Sequence, residues 1–104
     1  MAKYLLSYHG GGMPETEEES ARIMQAWSTW MGGIGDALVD GGNPTGQTTT
    51  LKADGSTSDG GGVNPVTGYS LVTADSMAAA LDIAKGCPIL DAGGSIEVGE
   101  ALDM

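Results

Sequence analysis

Histidine and cysteine occur once each, lysine and arginine together number 4, and phenylalanine is absent from the 104 residues. The single cysteine, Cys87, excludes an intrachain disulfide framework and a thiolate zinc cluster. Four cations against 14 carboxylates leave a net charge of −10. So acidic a chain has no basic face with which to displace counterions, so neither nucleic acid nor an anionic membrane is an expected partner. Apolar runs extend only a few residues, and Met1-Ala2-Lys3 leads straight into Tyr4-Leu5-Leu6. Neither a spanning helix nor a signal peptide is expected, and a reducing cytoplasm is the expected location.

Apolar residues make up 40% of the chain, enough for a globular reading. Its length suits one domain, 1–104, able to bury roughly two-thirds of the surface of the unfolded chain. The 18 glycines punctuate it in clusters, among them Gly10-Gly11-Gly12, Gly32-Gly33, Gly41-Gly42, Gly60-Gly61-Gly62 and Gly93-Gly94. No segment repeats another at a fixed period.

Lys3 to Tyr8, apolar or aromatic on both faces, reads as an interior strand stopped by the triple glycine. Thr16-Glu17-Glu18-Glu19 is a capping box, with three acids at the positive end of the helix dipole. Ile23, Trp27, Trp30, Met31 and Ile34 then form the stripe of a helix with one buried face, ended by a left-handed Gly32 or Gly33. Asp36 to Asp40 is a short strand. Thr48 to Lys52 is β-prone and runs into Asp54-Gly55, a two-residue hairpin turn, after which Ser56 to Pro65 reads as loop. Thr67 to Thr73 is a further strand, Asp75 or Ser76 caps a helix from Met77 to Ala84 that Gly86 and Pro88 end, and Ser95 to Val98 is the last strand. The order is that of an α+β fold, the ferredoxin-like βαββαβ sandwich with an extra hairpin. Both helices would cover one sheet face, and a second copy is the simplest cover for the other, giving a two-fold homodimer.

The opening Lys3-Tyr4-Leu5-Leu6, Leu38-Val39-Asp40-Gly41-Gly42-Asn43-Pro44, the run from Asp54-Gly55 to Asp59-Gly60, and Gly68-Tyr69-Ser70-Leu71-Val72 resemble the YCII-related proteins. The similarity is nearest to the branch named for an Asp-Gly-Pro-Phe (DGPF) motif. It continues through Ala80-Leu81, Ala84-Lys85-Gly86-Cys87-Pro88 and Gly93-Gly94-Ser95-Ile96-Glu97-Val98. The resemblance implies a dimeric α+β barrel of ferredoxin-like subunits and a suspected acid-base activity. Two departures stand out. The motif position carries Asp59-Gly60-Gly61-Gly62, without the aromatic, and the helix from Glu17 to Met31 has no histidine to pair with an aspartate as in some members.

The candidate site residues are therefore His9, Asp59 and Glu97. His9, ending the first strand, has the reference pKa of about 6.5 that suits proton transfer at neutral pH; an exposed strand-end histidine is the plainer reading. Asp59 could orient His9 or bind a hydroxyl, although Asp-Gly is also ordinary turn chemistry. Strand alternation puts Glu97 on the face opposite Ile96 and Val98, either inside a dimer or as an edge-strand charge that discourages aggregation. Trp27, Trp30 and Met31 are core residues or the wall of a ligand pocket, and Cys87 reads as a structural thiol.

Other chemistries fail on spacing. Glu15 stands where a dinucleotide fingerprint needs its third glycine, Pro65 where a calcium loop needs its bidentate glutamate, and no Gly-x-Ser-x-Gly elbow occurs. No metal or cofactor is expected. The expected function is a dimeric small-molecule-binding protein with acid-base activity of isomerase or lyase type, His9 acting as base. The alternative is a non-catalytic interaction or accessory signalling module, since genes of the DGPF branch are commonly associated with alternative sigma factors and the acidic surface suits a basic partner.

Overall fold

The computed structural model describes residues 1–12 and 14–103. In chain order these residues form β1 (Ala2–His9), α1 (Glu17–Ile34), β2 (Leu38–Asp40), β3 (Thr49–Leu51), β4 (Thr57–Asp59), β5 (Val66–Ala74), α2 (Met77–Ala84) and β6 (Ser95–Ala101), with single 3-10 turns at Gly35–Ala37 and Pro88–Leu90. The fold is α+β. A four-stranded sheet has the order β2-β5-β1-β6 with every neighbouring pair antiparallel, and β3 and β4 make a separate two-stranded ribbon.

Strand β1 is interior, as its two-sided apolar character requires. Tyr4, Leu6 and Tyr8 point to the helices and are buried with Val72, Ala74, Ala80, Ala84, Cys87 and Ile89. Lys3, Leu5 and Ser7 point the other way, where the sheet carries no helix, and Leu5 remains 41% exposed. On that open face Ser7 stands between Tyr69 and Glu97, and Leu5 between Leu71 and Gly99.

The start of α1 follows its capping box in part. Thr16 Oγ1 accepts from the Glu19 amide at 3.0 Å, but the Glu19 carboxylate accepts from the Glu15 amide at 2.9 Å, one residue before the expected donor. The far end departs from expectation. The helix continues through Gly32 and Gly33 and stops at Gly35, the residue that takes the positive φ of 64°. A glycine inside a helix costs only about 1 kcal/mol relative to alanine, so its presence does not oblige the chain to stop. No α1 side chain is fully buried. Its apolar stripe lies half-buried against the core through Trp27 and Trp30, which corrects the expectation of a buried face.

Helix α2 starts at Ser76, whose hydroxyl accepts from the Ala79 amide at 3.1 Å. The hairpin turn needs one residue more than expected. Ala53-Asp54-Gly55 bridges Lys52 and Ser56, whose backbone pairs at 2.8 Å, and Gly55 takes φ 90°. Beyond it, Thr57–Asp59 pairs with β3, so part of the expected loop is strand. The ribbon enlarges the chain's outline to 43 × 42 × 18 Å and its radius of gyration to 14.9 Å, against about 13 Å for a compact domain of this length.

Gly42 is the backbone position with least freedom to change. It has φ 73°, and a Cβ there would stand 1.7 Å from the Tyr69 carbonyl oxygen. Gly42→Ala should lower unfolding stability by about 2–5 kcal/mol through left-handed strain plus the steric conflict. Gly12→Ala, with nothing within 4 Å of the new methyl, should change it by about 0.5 kcal/mol or less. Urea unfolding of the two variants checks the contrast.

Candidate functional site

Because α1 is held to the sheet by aromatic side chains rather than by a filled interface, a cavity of about 400 Å³ remains beneath it. Met24, Trp27 and Met31 form the helical wall, Tyr8 the floor, and the backbone of Gly41 to Pro44 with Tyr69 the far side. No charged side chain lines this chamber. It adjoins a broader cleft that shares Trp27, Pro44, Thr67 and Ile89 and is bordered by Gly10 to Gly12, Glu19, Arg22 and Asp91.

The floor is rigidly tied. The Tyr8 hydroxyl donates to Ser70 Oγ at 2.7 Å, and Ser70 in turn donates to the Gly41 carbonyl at 2.7 Å. This chain fixes the turn after β2 against the middle of the sheet. The Tyr8 ring meets Trp27 edge-on at 5.2 Å, and Trp27 meets Trp30 edge-on at 5.7 Å, both contacts in favourable quadrupole geometry. Trp30 Nε1 donates to the Ile83 carbonyl at 3.0 Å, satisfying a carbonyl at the end of α2. Gly86 permits that approach, since a Cβ there would lie 3.1 Å from the Trp30 ring.

Burial holds the Tyr8 phenol well above its ordinary pKa, only partly offset by its bond to Ser70. Burial also pushes up the Cys87 thiol, which lies beside that phenol. Both groups stay protonated near neutrality, so the chamber floor offers hydrogen-bonding and apolar surface rather than a base.

The three sequence candidates lie elsewhere. His9 is on the open side of the sheet, after a register shift between Tyr8 and His9 in the pairing with β5. Its Nδ1 lies 2.9 Å from the Asn64 carbonyl oxygen and 3.3 Å from that of Pro65. Carbonyls only accept, so Nδ1 carries the proton. Nε2 faces Glu97 Oε1 at 3.3 Å without hydrogen-bond geometry, and that nitrogen is buried with no hydrogen-bond partner. The histidine side chain is 7% exposed, whereas that of Glu97 is 76% exposed. Pairing of His9 with Ser95 and of Ser7 with Glu97 is what sets the two on one face. Asp59 does not join them: it stands exposed in β4 on the separate ribbon, and no hydrogen bond or ion pair links it to His9 among the described residues. Neither His9 nor Glu97 lines the chamber or its outer cleft.

Of Trp27, Trp30 and Met31, the possible walls expected from sequence, Trp27 and Met31 line the chamber and Trp30 does not, while Met24 and the Gly41–Pro44 backbone were missed. Met24 was accessible from sequence, three residues before Trp27 and seven before Met31 on one helical face. The backbone wall was not, because it depends on the Ser70–Gly41 bond. Among the described residues no three His, Cys, Asp or Glu side chains gather as metal ligands. Comparison with protein-family models and with curated proteins finds no match to this chain.

Two outcomes test the floor. Ser70→Ala leaves a buried phenol donor and the Gly41 carbonyl unpaired and should cost about 1–3 kcal/mol in chemical denaturation, more than the roughly 1 kcal/mol of Tyr8→Phe. The raised Tyr8 and Cys87 values also make stability depend on pH. The folded chain keeps protons that the unfolded chain releases above the ordinary values of 9.0 for the thiol and 10.0 for the phenol. Their contribution is complete below those values and is lost as pH climbs through the folded-state ones, so unfolding midpoints measured from pH 8 to 11 should fall at the alkaline end.

Proposed function

We propose that this chain is a small-molecule-binding protein, and that it works as a homodimer of ferredoxin-like subunits of the YCII-related kind. The observation that carries the binding reading is the uncharged, aromatic-walled chamber of about 400 Å³, within the size range of ligand pockets and already formed in the single chain. The ferredoxin-like reading is supported by the order β2-β5-β1-β6, with α1 leading from β1 to β2 and α2 from β5 to β6. The dimer reading is supported by the uncovered sheet face. The chain exposes 6977 Å², where a compact monomer of 10.5 kDa would expose roughly 5,400 Å². The exposed β3–β4 ribbon accounts for part of that difference, and the dimer reading draws on the open sheet face, where Leu5, Leu71 and Tyr69 lie partly uncovered on the side away from the helices.

A second reading rests on the approach of His9 to Glu97. With Nδ1 donating to the Asn64 carbonyl, Nε2 keeps its lone pair and turns toward Glu97, the orientation of a general base whose protonated form a nearby carboxylate would stabilise. Its place on the open face would put it at the dimer interface, at the mouth of a barrel rather than in the chamber.

Light scattering at micromolar concentration should give about twice the mass of one chain; a mass near 10.5 kDa would remove the dimer. A thermal-shift screen of uncharged aromatic compounds should find saturable stabilisation that is lost on filling the chamber with Ser28→Trp. Stabilisation unchanged by that variant would move the site elsewhere. For any compound turned over, His9→Ala should abolish turnover, and unchanged turnover would end the acid-base reading.

A further inference from the structure

The chamber and its outer cleft adjoin along Trp27, Pro44, Thr67 and Ile89, and the two halves differ in chemistry. Inside, every side chain is neutral; the Tyr8 hydroxyl of the floor is engaged with Ser70, and Ser28 and Asn43 are the polar side chains of the lining that make no hydrogen bond among the described residues. An ion entering this half would lose its hydration without a counter-charge, a cost of several kcal/mol. The half of a ligand that enters is therefore uncharged, seated on the apolar and aromatic wall of Met24, Trp27 and Met31. Outside, the charges that border the cleft are Glu19 and Arg22 on α1 and Asp91 just after the 3-10 turn at Pro88–Leu90.

Two carboxylates and one guanidinium border this mouth, and on a chain of net charge −10 that balance favours a cation there. Asp91 makes no side-chain hydrogen bond or ion pair among the described residues, and neither does Arg22. The Glu19 carboxylate is engaged with the Glu15 amide, which leaves it charged. Trp27 borders both halves, so its ring lies where the ligand passes from the apolar part to the mouth. An ammonium group set beside an indole face gains a further attraction, and a carboxylate gains none.

We infer that the ligand of this site is an amphipathic organic amine: an uncharged ring system seated against Met24, Trp27 and Met31, with a protonated nitrogen in the outer cleft beside Asp91. The inference rests on the binding reading above and adds the class of compound.

Calorimetric titration of the full chain with three probes sharing one ring tests it: 2-naphthylmethylammonium, 2-naphthylmethanol and 2-naphthoate. The amine should bind roughly tenfold more tightly than the alcohol and the carboxylate more weakly than both, with the amine's advantage shrinking at 0.5 M salt. Asp91→Asn should bring the amine to within about threefold of the alcohol and leave the alcohol unchanged, a result no folding defect reproduces. Equal binding of all three, or tightest binding of the naphthoate, would overturn the amine assignment while leaving the chamber as a binding site. Binding of none would overturn the assignment and the chamber reading together. An amine preference that survives Asp91→Asn would overturn the placement of the nitrogen.

Discussion

Tyr8 is the residue through which the layers of this protein meet. Its ring is buried on the helix-facing side of β1 near the strand's end, it packs against Trp27, and its hydroxyl begins the chain of hydrogen bonds that ends on the Gly41 carbonyl. A buried phenol must find a partner or destabilise the fold by about 1–3 kcal/mol. Here that requirement is met by Ser70 from the neighbouring strand, and Ser70 meets the need of a carbonyl in the turn. One obligation thus sets the distance between the sheet and the Gly41–Pro44 wall, and with it the width of the chamber.

The same arrangement explains why the chamber exists. Three of the nine buried apolar residues are alanines, and phenylalanine is absent, so the volume between α1 and the sheet is bridged by Trp27, set edge to face between Tyr8 and Trp30, rather than filled. Aromatic edges and one indole hydrogen bond to Ile83 hold the helix at a distance that aliphatic side chains of ordinary size would have let collapse. The two sides of the sheet therefore have separate chemistries: neutral and aromatic under the helix, titratable around His9 and Glu97 on the open side.

How much of this was legible in the sequence follows from which interactions are local. The caps at Thr16 and Ser76 depend on residues three apart and were readable directly. So was the facing of Glu97, which needs only the two-residue period of a strand. The end of α1 was misplaced because glycine permits a left-handed cap without compelling one, and the positive φ falls at Gly35. Strand β4 escaped notice because Thr57–Asp59 buries nothing, so no alternation marks it. Among the site candidates, His9 and Glu97 were named from residue type, but their meeting depends on the register of β1 with β6, and Asp59 was assigned to a neighbourhood it does not share.

The β3–β4 ribbon stands apart from this coupling. Its residues are exposed or half-exposed, its pairing is internal, and the Asp54 carboxylate closes its own turn by accepting from the Ser56 amide at 2.9 Å and hydroxyl at 2.6 Å. Nothing in the Tyr8 chain or the chamber passes through it. Sequence added at Ala53 or Asp54 would thus be carried outward on a self-contained arm, which makes the tip a natural port for grafting an epitope, a reporter or a second domain onto an otherwise tightly constrained scaffold.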